Sequence, residues 1–229
     1  MLKNNSKNLS WNKFWKLNRY KTNFYSKRFL LDQNGNGKGA GYISLINLKN
    51  SQKKVRKILN ILSNESILDY GSGNCVFSSY FLRNNKNKVY CYDINKRSLL
   101  IGKLIFKKII ILRNNEIKKN LYDHIICSSV FQYLSLKEAK KVINFFYKIS
   151  KKTFFIIDIS NFDTKKAHLK FRKKFKFSNS IYKLPNHTYY KKSFFTSFAK
   201  KKFLSVKFFN NVLMNKQQKF RFSVLFKKI

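Results

Sequence analysis

Residues Ile67 to Cys75 read Ile-Leu-Asp-Tyr-Gly-Ser-Gly-Asn-Cys: a short apolar run, an aspartate and two glycines one residue apart, followed by the apolar stretch Val76 to Leu82. A run this short suits a buried strand, and Gly71 and Gly73 admit backbone angles or close approach that a side chain would block. Val76, Phe77, Tyr80 and Phe81 recur at helical spacing. The stretch therefore predicts strand, tight turn and helix, with free N–H groups of a helix N-terminus aimed at whatever lies above the turn. Such a turn holds a ligand.

The chain on both sides falls into the same rhythm. A helix is expected over Ser51 to Leu62, a buried strand over Val89 to Tyr92 ending at Asp93, a helix over Asn95 to Phe106 and a short strand over Ile109 to Leu112. A fourth strand over Tyr122 to Val130, a helix over Leu136 to Ile149 and a fifth strand over Thr153 to Ile159 follow. Such alternation demands a parallel sheet with helices on both faces. Thr164 to Tyr190 is a long basic and aromatic connection, and connections of that length in a compact domain usually serve function. After a helix over Ser193 to Lys200, strands over Val206 to Met214 and Gln218 to Lys227 flank a short turn at Asn215 to Gln217, an antiparallel hairpin. The fold class expected is α/β: a Rossmann-like, seven-stranded, mostly parallel sheet closed by a C-terminal antiparallel hairpin.

Residues 1–50 are read as an extension and residues 51–229 as the main domain. In the extension, Trp11 to Leu31 has aromatic residues at approximate helical spacing, one or two amphipathic helices that either dock on the domain or form a lid. The stretch Asn34 to Gly41, with four of the seven glycines, lacks the spacing and ending of a Walker loop and reads as a hinge or substrate loop.

A net charge of +41 invites a nucleic-acid reading. The charge is not uniform, however. Eight of the nine carboxylates fall between residues 65 and 163, and none follows Asp163. Asp69, Asp93, Asp123 and Asp158 each stand at the edge of an expected strand, with Asp123 and Asp158 read as structural. The lysines are spread over every segment, and abundant Lys, Asn, Ile, Phe and Tyr share AT-rich codons, so the positive charge also has a purely compositional reading. No signal peptide and no apolar run long enough for a membrane span is recognised. Cys75, Cys91 and Cys127 lack metal-ligand spacing, which excludes a recognisable metal motif and suggests packing residues in a reducing, cytoplasmic compartment.

The turn fits a dinucleotide poorly. Counting from Gly71, the third glycine of G-x-G-x-x-G would fall at Val76, and Asp69 would face a pyrophosphate with negative charge. A cation is the better guest. Here the sequence resembles the class I S-adenosylmethionine-dependent methyltransferases, from about Ser51 to Ile229. Their first motif looks like Asp69, Gly71 and Gly73, with Cys75 replacing the final glycine, a change that leaves the turn intact but would tighten the space for the methionine portion. Their acidic residue after the second strand matches Asp93, with Ile94 at the position that lies on the adenine. Their fourth-strand motif is similar to Tyr122 to Leu134, where Ser128 follows the strand and Tyr133 stands where many relatives carry histidine. The resemblance implies S-adenosylmethionine as cofactor, bound by Asp69, Gly71, Ser72, Gly73, Asp93, Ile94 and Ser128. A sulfonium, an α-amino group and a ribose diol would explain why scarce carboxylates gather in this part of a cationic protein.

Methyl transfer from a sulfonium is an in-line displacement that chiefly needs alignment in a closed site, with a general base only for a poorly nucleophilic acceptor. His124 reads as a packed strand residue and His168, among lysines, as a surface one. His187, beside Pro185 and Tyr189-Tyr190, and Tyr133 are the weak catalytic candidates. The fourth strand lacks the D/N-P-P-Y/F stretch of enzymes that methylate exocyclic amines of bases, and Cys127 lacks a Pro-Cys context, which disfavours the common nucleic-acid classes. A small-molecule or glycan-like acceptor is therefore expected, admitted between the N-terminal aromatics and the Thr164 to Tyr190 connection. An anionic acceptor would satisfy the charge equally well. The alternatives are an RNA methyltransferase using the basic flanks and a non-catalytic binding module on the same fold.

Overall fold

The computed structural model describes residues 26–36, 39–82, 86–174, 187–210 and 212–229. Most of the expected Trp11 to Leu31 helical stretch, two residues of the glycine-rich loop and residues 175–186 of the long connection lie outside them. Six α-helices are described: α1 (Lys27–Gln33), α2 (Leu45–Leu59), α3 (Lys96–Ile105), α4 (Leu136–Ile149), α5 (Lys165–Lys173) and α6 (Lys192–Lys201). Seven strands, β1 (Ser66–Tyr70), β2 (Lys88–Tyr92), β3 (Ile110–Ile111), β4 (Tyr122–Ser128), β5 (Ser150–Ser160), β6 (Leu204–Phe209) and β7 (Arg221–Lys228), form one sheet in the order β3-β2-β1-β4-β5-β7-β6. β1 to β5 pair in parallel, and β7 runs antiparallel to both β5 and β6. The expected Rossmann-like sheet and its closing hairpin are both present.

Alternation along the strands divides the core. Phe155 and Ile157 of β5 join Leu30 and Leu31 of α1, Leu48 and Val55 of α2 and Leu99 of α3 on one face, whereas Phe154 and Ile156 join Ile143 and Phe146 of α4 and Phe195 of α6 on the other. The two-residue period of a strand requires this once helices cover both sides. Leu30, Leu31 and Ile43, from the expected extension, are almost completely buried in the first of these clusters. Local signals set the helix starts: Ser44 accepts from Asn47 N at 3.1 Å, so α2 begins six residues before the expected Ser51. Ser135 and Glu138 close a capping box on α4.

Three expectations fail in detail. The helix expected over Val76 to Leu82 is a loop followed by a short 3-10 turn, Ser78–Leu82. Side chains take the carbonyls a helix would use: Gln52 Nε2 donates to Val76 O and Phe77 O (3.1 and 2.8 Å), and Ser79 Oγ to Val76 O (3.0 Å). The hairpin connection is longer than a turn at Asn215 to Gln217, because Val212 and Leu213 leave the sheet to fill the first cluster. His168, expected at the surface, is fully buried: it bonds Gln217 Oε1 (2.7 Å) and the Tyr189 hydroxyl (3.1 Å) and stacks on Phe220 at 5.0 Å. One face of amphipathic α5 carries it inward despite its lysine neighbours.

Candidate active site

β1 lies where the strand order reverses, and a crevice opens at the carboxyl ends of strands there. The cleft, about 1300 Å³ counting its open mouth, is lined by Asp69, Gly71, Ser72 and Gly73 after β1, by Asp93, Ile94 and Asn95 after β2, and by Ser128, Ser129, Val130, Tyr133 and Leu134 after β4. All seven cofactor candidates thus border one cavity. Among the catalytic candidates, Tyr133 lines it, and half-buried His187 lies behind Tyr133 with ring centroids 5.6 Å apart.

Both glycines of the turn adopt left-handed backbone (φ +78 at Gly71, +56 at Gly73) and sit against neighbours. A β-carbon at Gly71 would approach Val130 Cγ2 to 2.3 Å, and one at Gly73 would approach Asn34 Oδ1 to 2.4 Å. Cys75, third in the series, also has a left-handed φ of +60. Its side chain is buried against Ser72, 3.7 Å from Oγ, and does not line the cleft.

Asp69 and Asp93 set the electrostatics. Asp93 joins turn to strand: Gly73 N donates to its Oδ2 (2.7 Å) and Asn95 N to its Oδ1 (2.8 Å). Burial nevertheless pushes its pKa above the usual carboxylate range, the two N–H donors opposing the rise. Asp69 is 2% exposed, and its Oδ2 has no hydrogen-bond partner. Burial raises its pKa to about 7, with the Ser78 hydroxyl pulling down and the Asp93 charge pushing up. No lysine or arginine is among the described residues lining the cleft. In a chain of net charge +41 the site is locally acidic.

Opposite, a bulge in β5 between Ile156 and Ile159 places Asp158 in left-handed backbone (φ +64). Its Oδ2 accepts from Ser129 Oγ (2.8 Å) and its Oδ1 from Asn215 Nδ2 (3.3 Å), fixing the cleft wall after β4. Asp123 is likewise structural, accepting from Ser66 N and Oγ (2.9 and 2.7 Å). His124 is packed as expected, bonded to Thr153 Oγ1 (2.7 Å) and Glu65 Oε2 (3.0 Å) near the start of β4. The end of α1 and the loop after it, read as a lid or substrate loop without named contacts, reach the cleft: Leu31, Gln33, Asn34 and Asn36 line it, and Asn34 Nδ2 donates to Asn74 Oδ1 (2.9 Å) while Asn74 Nδ2 donates to Leu30 O (2.8 Å). The asparagines in both the glycine-rich loop and the turn were the available signal.

No protein-family model matches the sequence, and no curated protein matches it. Solved structures do. Magnesium protoporphyrin IX methyltransferase from Synechocystis PCC 6803, crystallised with S-adenosylmethionine, is similar at TM-score 0.57 and 11% identity over 90% of this chain and 98% of that one. A SAM-dependent methyltransferase from Aquifex aeolicus gives 0.54 and 17% over 90% and 100%. Phosphoethanolamine N-methyltransferase 1 of Haemonchus contortus, in complex with phosphoethanolamine and S-adenosylhomocysteine, gives 0.58 and 12% over 80% of this chain and 42% of that one. With this strand order and an acid-lined cleft at the end of β1, the chain has the fold of the class I S-adenosylmethionine-dependent methyltransferases.

Proposed function

We propose that the chain is an S-adenosylmethionine-dependent methyltransferase acting on a small-molecule or glycan-like acceptor. One observation carries the reading: a buried carboxylate oxygen, Asp69 Oδ2, without a partner in a cleft whose described lining holds no basic residue. An orphaned carboxylate in an apolar wall is costly unless a cation completes it, so the residues fit a cofactor bearing positive charge. Asp69 would face the cationic methionine portion, Asp93 would accept the ribose hydroxyls with lone pairs its two backbone donors leave free, and Ile94, 39% exposed at the rim, would lie on the adenine. Bound there, S-adenosylmethionine supplies an electrophilic methyl group on a sulfonium.

The chain's own work is alignment and exclusion of water. Val76, Phe77, Val130, Leu134 and Leu213 form the apolar walls. Burial raises the Tyr133 pKa, so its hydroxyl stays protonated and serves as a donor at the acceptor end. Burial and the nearby Arg172 and Arg221 charges hold His187 well below its ordinary pKa. It is neutral at pH 7 but a weak base, which suits an acceptor that needs positioning more than deprotonation. Magnesium protoporphyrin IX and phosphoethanolamine, named for two of the similar enzymes, are small acceptors, which supports this reading over a polymer.

Calorimetry with S-adenosylmethionine tests it. Asp93→Ala removes charge-assisted hydrogen bonds worth about 1.5 to 3 kcal/mol, so Kd is expected to rise about tenfold or more. Unchanged affinity removes Asp93 from the site. Absence of any binding to the wild-type chain turns the reading toward a non-catalytic module.

A further inference from the structure

Behind Tyr133 lies a second charged cluster of opposite sign. Arg221, at the start of β7, is 5% exposed. Its Nη1 donates to Gln132 Oε1, Asp158 O (3.2 Å) and Ser160 Oγ (2.8 Å), its Nη2 to Gln217 Oε1 (3.0 Å), and its Nε has no partner. Half-buried Arg172 lies one helical turn beyond His168 on α5, and the charge of Arg221 acts on it. The His168 and His187 rings lie 6.4 Å apart, and both are held neutral by burial and by the charges of the two arginines.

No carboxylate pairs with either guanidinium among the described residues. The accounting extends to the whole chain, because residues 1–25, 37–38, 83–85, 175–186 and 211 contain no Asp or Glu. The Asp158 carboxylate bonds Ser129 and Asn215, and only its backbone carbonyl accepts from Arg221. A buried and a half-buried cation that form no ion pair among the described residues call for an anion from outside. The cluster adjoins the cleft through two lining residues: Tyr133, which touches His187, and Ser129, which bonds Asp158.

We propose that the acceptor carries an oxyanion, a carboxylate or phosphate, that reaches past Tyr133 to Arg172 and Arg221 behind the described lining of the cleft. The assignment of this anion to an acceptor rests on the methyltransferase reading; the binding site itself does not. Partial burial of both guanidiniums selects a single small group over a run of phosphates along a nucleic-acid strand, which needs an open groove. The two charged clusters then lie on either side of Tyr133, with the cationic cofactor at Asp69 and Asp93 in the cleft and the acceptor's anion at the arginines behind its wall.

The experiment titrates the full chain with inorganic phosphate and, separately, acetate, followed by calorimetry and by the imidazole NMR signals of His168 and His187, with S-adenosylhomocysteine affinity measured in parallel. Saturable binding that shifts both imidazoles and raises their pKa is expected, because an anion offsets the guanidinium field. Tighter phosphate indicates a phosphomonoester acceptor and tighter acetate a carboxylate. Arg172→Gln, chosen because Arg221 also holds four neighbours in place, should weaken the anion about tenfold or more, while the surface control Lys118→Gln leaves it unchanged and S-adenosylhomocysteine binds both variants within about twofold of wild type. Imidazole signals unmoved by either anion, or equal losses in Arg172→Gln and Lys118→Gln, overturn the inference. So does a short oligouridylate that displaces phosphate from these histidines with higher affinity and a steep salt dependence. Failure of S-adenosylhomocysteine to bind the wild-type chain would sink the methyltransferase reading instead, and the phosphate response would still decide the anion site.

Discussion

Asp69→Asn should make the protein more stable and worse at holding its cofactor. The folded carboxyl has a pKa of about 7 against an ordinary 3.8, a difference of about three pH units at about 1.4 kcal/mol each. A group whose folded pKa is raised contributes its stability below the unfolded value and loses it as pH rises through the folded one. At pH 8 the ionised carboxylate therefore costs the cofactor-free fold about 4 kcal/mol by this reckoning. Asparagine keeps the shape, cannot ionise and loses the Ser78 interaction, which leaves a net gain of roughly 2 to 3 kcal/mol. That is a rise of several degrees in Tm for a chain of this length. Binding moves the other way: S-adenosylmethionine affinity falls about 10- to 100-fold with the loss of a charge-assisted contact. In the wild type, Kd should also rise toward tenfold per pH unit below about 7, where Asp69 must surrender its proton to meet a cation. Asp69→Asn should remove that slope, any remainder belonging to Asp93, whose pKa is raised in the same direction. Calorimetry from pH 5.5 to 8.5 and thermal melts at pH 8 read all three effects. A destabilised variant with unchanged affinity and an unchanged pH profile would refute the reasoning.

Gly73→Ala forces a β-carbon to 2.4 Å from Asn34 Oδ1 at a φ of +56, so about 1 to 2 kcal/mol of stability and most cofactor affinity should be lost, by melting and calorimetry. Unaltered binding would show that the Asn34 to Asn74 contact is dispensable. Acidification of Asp69→Asn should expose the buried histidines: His168 has a folded pKa of about 4 against 6.5, so its contribution is present above pH 6.5 and lost as pH falls toward 4, about 3 kcal/mol in all. His124 and His187 are lowered too. In wild type the protonation of Asp69 offsets this loss, so urea midpoints between pH 7 and 4.5 should fall more steeply in the variant; parallel curves would contradict the assignment of either group.

The glycine turn shows what kind of information a single chain carries. Strand order follows from local rules, since alternation of buried runs with amphipathic stretches leaves few topologies, and the one-residue difference at each end of β3 or the misread helix after the turn alters none of them. That helix failed for a reason sequence periodicity cannot express: Gln52, 24 residues away, holds the carbonyl of Val76. Cys75 was the anomaly in the pattern, and its explanation is likewise non-local. It keeps the left-handed φ that a glycine would have there, and its sulfur fills space toward α3, where a β-carbon on Gly102 would come within 2.9 Å of it. The cleft is not narrowed by it, because the Cys75 side chain is fully buried and is not part of the lining.

Charge was legible in outline and misleading in detail. Scarce carboxylates in residues 65–163 pointed to a cationic ligand, yet only Asp69 and Asp93 line the cleft. Glu65 and Asp123 clamp the opposite ends of the strands, through His124 and Ser66, and Glu138 caps a helix. Those carboxylates cluster because a parallel sheet has loops and helix starts to satisfy, whatever it binds. The informative pattern was the reverse one. A chain with no acid side chain after Asp163 pairs an arginine buried after that point only by reaching back to an earlier carboxylate, and the Asp158 carboxylate bonds Ser129 and Asn215 while Arg221 takes its backbone carbonyl. Arg221 at the start of β7 is buried by sheet topology, Arg172 by the face of α5 that carries His168, and neither burial is visible before the fold is known. Composition alone reads these residues as two more of fifty bases; burial without an ion pair among the described residues separates Arg221 from the rest, and half-buried Arg172 shares its neighbourhood behind Tyr133.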